Sequence, residues 1–130
     1  MTDPAATPLD STTADNDHEV RVLLAKHGIS TDQVEAARAA ANGKAIFLLN
    51  DQPVIFKRAS ADQLQRVFTK PEKDRYPAMR DLAGFLVVHP APEAWKVMTG
   101  DDGFPLLFVT VVDAASAIAS GKATSEAKKL

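Results

Sequence analysis

Seven cations fall between positions 57 and 80: Lys57, Arg58, Arg66, Lys70, Lys73, Arg75 and Arg80. Asp62, Glu72 and Asp74 oppose them, so seven minus three leaves a formal +4 inside a chain of net charge −2. Such a concentration can hold phosphates or an anionic partner surface. A binder of single strands interleaves aromatic platforms with its cations. Here the stretch supplies Phe68 and Tyr76 alone, and both also fit apolar helix stripes. A solvated outer helix face is therefore favoured over nucleic-acid binding. Contact with the acidic residues before position 18, in the same or another copy, is a third reading.

Other chemistry is sparse. His18, His27 and His89 fall at a helix start, a helix end and a proline-flanked loop, none with a second ligand at metal-binding spacing. No metal and no cofactor are expected. Asn42-Gly43-Lys44-Ala45 holds a glycine and a lysine but lacks the rest of a phosphate cradle, so it reads as a turn. Asp101-Asp102 reads as a solvated loop that caps the next helix, not as an acid–base pair. No serine stands in a nucleophile elbow, and the chain has no cysteine, which excludes disulfide and thiolate chemistry. The expected protein is not an enzyme.

The apolar inventory points elsewhere. Phe85, Trp95, Phe104 and Phe108 come late in the chain, on segments apolar on more than one side. Apolar residues outside a single stripe signal deep burial or a groove for a partner. These four are the candidate partner-binding residues.

The elements that must position them form an α+β domain, mostly helical, with one β-hairpin. Residues 1–17 are rich in Thr, Asp, Pro, Ala and Ser and carry no Lys or Arg. They read as a disordered acidic arm and not as a signal sequence. The globular unit is expected over 18–121, and 122–130 as a flexible tail. A first helix runs from His18 to Lys26, with Gly28 as its C-cap. Ser30 and Gln33 have capping-box spacing for a second, and Ile29 can staple onto Val34. Ala45–Leu49 and Val54–Phe56 flank Asn50-Asp51-Gln52-Pro53 and predict the hairpin, at about 45–57. A lone ribbon is marginal in water, so it must pack on helices or gain strands from a partner. Ser60 and Gln63 repeat the capping box. A long helix is expected over Glu72–Val88, ended by His89-Pro90, then a short one begun by Pro92. The last helix is expected to be capped by Asp102, with Pro105 in its first turn and a stripe through Phe104, Leu107, Phe108, Val111, Val112, Ala115 and Ile118. The longest apolar run, Phe104 to Val112, is too short to span a bilayer. A cytoplasmic protein without membrane contact is expected.

The order of elements carries a resemblance. A Lys26-His27-Gly28 helix end leads to the hairpin, then to Ser60-Ala-Asp-Gln-Leu-Gln-Arg-Val-Phe68. Asp81-Leu-Ala-Gly-Phe-Leu-Val-Val-His-Pro90, Pro92-Glu-Ala-Trp95, a final apolar helix and Ala127-Lys-Lys-Leu130 follow. This layout, over residues 20–130, resembles small tailed-bacteriophage proteins of the tail assembly chaperone type. The alanine-rich Thr31–Ala41 segment departs from that pattern. The resemblance implies a non-enzymatic assembly factor of the host-cell cytoplasm that binds a hydrophobic helical segment of a partner, such as a tape measure protein, and a homo-oligomer is compatible with it. No residue-level motif transfers. The alternatives are a structural virion component of tail, neck or capsid, whose hairpin edge accepts a neighbour's strand, and a small nucleic-acid binder using Lys57–Arg80.

Overall fold

Two apolar runs around a polar turn give the molecule its centre. Ile46–Leu49 forms β1 and Ile55–Lys57 forms β2, paired antiparallel with Phe47 opposite Phe56. The computed structural model describes residues 17–122 and 124–130, so the expected arm lies outside the described residues except for Asp17. Pro53 falls outside the ladder, as its missing N–H requires.

The strands are apolar at consecutive positions because both sheet faces are covered. Phe47, Leu49, Val54 and Phe56 pack into the larger cluster, while Ile46, Leu48 and Ile55 pack into the smaller one. The period of two thus divides a continuous hydrophobic run between two cores.

The smaller core is closed by α1 (17–26) and α2 (Thr31–Ala40). Leu23, Leu24, Ile29, Val34, Ala37 and Ala41 meet the sheet there. Gly28 takes a φ of 67° and lets the chain turn between the helices. The predicted capping box is formed: the Ser30 hydroxyl accepts from the Gln33 amide at 3.2 Å, and the Gln33 side chain accepts from the Ser30 amide at 2.7 Å.

The larger core lies beneath α3 (Ala61–Phe68), α4 (Glu72–Leu86), α5 (Pro92–Met98) and α6 (Leu107–Ala119). Ser60 and Gln63 form the second capping box, at 3.1 and 2.9 Å. Pro92 starts α5 at its first position. Met79, Leu82, Ala83 and Leu86 of α4 oppose Leu107, Phe108, Val111, Val112 and Ala115 of α6. Burial of each large side chain contributes about 1.5–3 kcal/mol.

Three expectations are corrected. The helix expected to reach Val88 stops at Leu86, and Val87–His89 forms β3 on the outer edge of β2. An edge strand satisfies the open backbone of β2, and the residue before Pro90 is pushed to extended geometry in any case. Residues 122–130 are not all a flexible tail: Ala127–Lys129 forms β4 on the outer edge of β1. The sheet order is therefore β3-β2-β1-β4, fully antiparallel. Asn50 ties β4 down, its backbone amide donating to Glu126 O at 2.8 Å and its side-chain amide donating to Ser125 O. Lys128 pairs with Glu19 of α1 at 3.2 Å. Finally, α6 begins at Leu107 with no side-chain cap, so Asp102 does not cap it and Pro105 precedes it. No helix among the described residues is long and apolar enough to cross a membrane.

Candidate functional site

The four aromatic candidates divide evenly. Trp95 is 8% exposed, and Phe108 is 1% exposed. Both belong to the larger core, which weighs against their assignment as partner contacts: the Phe108 ring is enclosed, and Trp95 shows only an edge, at a small depression shared with Gly84, Val87, Pro90, Pro92 and Lys96. Tyr76 meets the Phe108 ring edge-on at 6.0 Å, and the Arg80 guanidinium lies 5.1 Å from its centroid. Phe85 and Phe104, by contrast, are 56% and 50% exposed.

Those two exposed rings stand in different settings. Phe85 projects from the flank of α4, where the Lys57 ammonium sits 3.9 Å from its ring centroid. Such a contact is worth about 0.5–1 kcal/mol at an exposed site and occupies the ring. Phe104 stands on the turn before α6, with Leu106 also exposed beside it. That turn borders an open depression of about 480 Å³ lined by Asp51, Gln52, Gly103, Phe104, Pro105, Leu106, Leu107 and Thr110. The hairpin tip thus forms one wall and the start of α6 the other. Phe85 does not line it.

The turn is held from below. The Phe104 amide donates to Met98 O at 2.7 Å, and the Gly103 amide donates to Gly100 O at 3.0 Å. A Cβ at Gly103 would collide with the Met98 carbonyl, so the close approach requires glycine. Phe104 and Leu106 are therefore displayed by fixed backbone.

Four of the seven cations have partners inside the chain. Lys57 is taken by Phe85, and Arg80 lies over Phe108. Arg66 pairs with Asp62 at 3.0 Å. Arg75 turns back to donate to the Lys70 carbonyl at 3.2 Å. Arg58 lines a separate shallow depression with Lys44, Ala45, Ala59 and Ser60. Lys70 and Lys73 are exposed on the segment joining α3 and α4 and the first turn of α4.

The histidines are dispersed. His18 is exposed on α1. His27 donates from Nε2 to the Asn50 carbonyl oxygen at 3.0 Å, joining the end of α1 to the hairpin. His89 lies in β3, where burial lowers its pKa. Among the described residues, no three His, Asp or Glu side chains gather as a metal site. Partial burial raises the pKa of Asp113 on α6.

No family model matches the chain, and comparison with curated proteins and with solved structures finds no match either. Of the lining residues only Phe104 was a sequence-derived candidate; Leu106, on the turn, and Asp51 and Gln52, on the hairpin, were missed. The signal of Asp51 and Gln52 was the polar tip of a hairpin, which says nothing of the loop it will face.

Proposed function

We propose that this protein is a non-catalytic assembly factor that captures an apolar helical segment of a partner protein at the depression between the hairpin tip and α6. The observation that carries the reading is the display of Phe104 and Leu106, half-exposed on a backbone fixed by Gly103, at the rim of a concave surface. Single exposed apolar side chains are ordinary. Two that share a turn and flank a depression offer a place for the apolar stripe of a helix. The resemblance to tail assembly chaperones gives the partner a class: a long, helix-rich protein such as a tape measure.

The virion-subunit alternative drew on an open hairpin edge, and β3 and β4 occupy both hairpin edges. The nucleic-acid alternative needs cations that share a surface, and several of these have partners inside the chain.

Titration of the protein with apolar helical segments of the tape measure tests the proposal. Replacing Phe104 and Leu106 with Ser is expected to weaken binding by at least roughly tenfold, since each loses apolar area from the interface. Circular dichroism should stay unchanged. Binding equal to that of the unmodified protein would overturn it.

A further inference from the structure

The depression is apolar on its rim and acidic around it. Asp51 lines it directly, and Asp101 and Asp102 precede Gly103 in the loop that forms one wall. All three are exposed. The ion pairs among the described residues are Arg38–Glu35, Arg66–Asp62 and Lys128–Glu19, so none of these carboxylates is paired with a cation. Nor are they spent on helix amides, because no side chain caps α6. The chain between Lys96 and Lys122 contains Asp101, Asp102 and Asp113 and no Lys or Arg at all. Four of the seven cations of residues 57–80, Lys57, Arg80, Arg66 and Arg75, are directed to Phe85, Phe108, Asp62 and the Lys70 carbonyl instead.

We infer that the partner captured at this depression is a cationic amphipathic helix, one whose apolar stripe is bordered by lysines or arginines. The inference rests on the reading of the depression as a capture site and adds the charge of its occupant. An apolar stripe laid against Phe104 and Leu106 brings its polar borders near Asp51, which lines the depression, and near Asp101 and Asp102, which directly precede the lining residue Gly103. Basic borders there gain attraction from three unpaired carboxylates, and acidic borders are repelled. The same negative rim disfavours an anionic lipid surface. Each exposed pair is worth up to about fivefold in affinity, so three together give a preference on the order of tenfold at low salt. Salt should shrink that preference, because the rim is solvated.

Three designed peptides of about 18 residues, long enough to hold a helix, provide the test. They share one leucine stripe and differ in border residues: lysine, glutamine or glutamate. The lysine peptide is expected to bind the full-length protein about tenfold more tightly than the glutamate peptide at low salt, with the gap narrowing at high salt. The triple variant Asp51→Asn, Asp101→Asn and Asp102→Asn is expected to bring the lysine peptide to the affinity of the glutamine one. Equal binding of all three peptides by the unmodified protein overturns the inference and leaves the capture site standing. A lysine preference that survives in the triple variant overturns it too, by placing the attraction elsewhere. Binding of no peptide removes the capture site itself. In the Phe104→Ser, Leu106→Ser variant all three peptides should weaken. Retention of the lysine peptide there would reduce the effect to unspecific charge attraction and overturn the inference.

Discussion

Phe104 and Phe108 stand one helical turn apart in sequence and end in opposite environments. Phe108 is sealed between α4 and α6, with Tyr76 and Arg80 over its ring. Phe104 is half-exposed above an open depression. Spacing alone would put both on one face of a helix. The helix starts at Leu107, however, so only the second ring obeys that geometry. Glycine-led turn and helix thus give the two aromatic residues different settings: Phe108 holds the layers together, and Phe104 stays half-exposed on the surface.

The contrast can be broken most forcefully at its buried end. Phe108→Ala should cost about 3–5 kcal/mol of unfolding free energy by urea denaturation, as expected for a large ring removed from a packed core. Phe104→Ser should change it by no more than about 0.5 kcal/mol. Similar losses for both would mean that Phe104 is a core residue after all. Gly103→Ala sharpens the comparison from the backbone side. Its methyl would meet the Met98 carbonyl, so a loss of about 1–3 kcal/mol is expected, together with weakened partner binding as the turn shifts. A comparable effect is expected from deleting residues 127–130, which removes β4 without touching either aromatic residue. The loss should be roughly 1–3 kcal/mol, and hydrogen exchange should quicken at the Asn50 amide, which donates to β4.

The smallest effect is a pH dependence on α6. Burial raises the Asp113 pKa, so the folded state holds its proton more tightly than the unfolded state does. Stability from this group therefore falls as pH rises from the ordinary carboxylate pKa through the raised one. Asp113→Asn should flatten that part of a thermal-midpoint profile measured through the acid range. His89 acts in the opposite direction. Its lowered pKa makes stability fall as pH drops below the ordinary imidazole value, and His89→Gln should remove that slope.

What was legible in the sequence was what the chain decides locally. Both capping boxes, the turn at Gly28, the hairpin and the start of α5 at Pro92 depend on neighbours a few residues away. The short strands β3 and β4 were not legible, because their residues are selected by the open edges of a distant hairpin. Val87 and Val88 continue an apolar helical stretch in sequence, while Ala127-Lys-Lys129 carries almost no strand propensity. The candidate site was legible in composition and not in partition. An excess of late aromatic residues was visible, but which of them faced outward turned on where α6 began. The pairing of Asp51 with the Gly103 turn needed the three-dimensional fold.

The closure of β1 by β4 has a consequence for the order of events during synthesis. Asn50 waits for Ser125, a separation of 75 residues, before its side chain finds its partner. Until residues 127–130 emerge from the ribosome, a nascent chain holds the β1 backbone unpaired on that edge, next to hydrophobic side chains awaiting cover. Aggregation through that open edge should therefore concentrate in the interval before β4 docks.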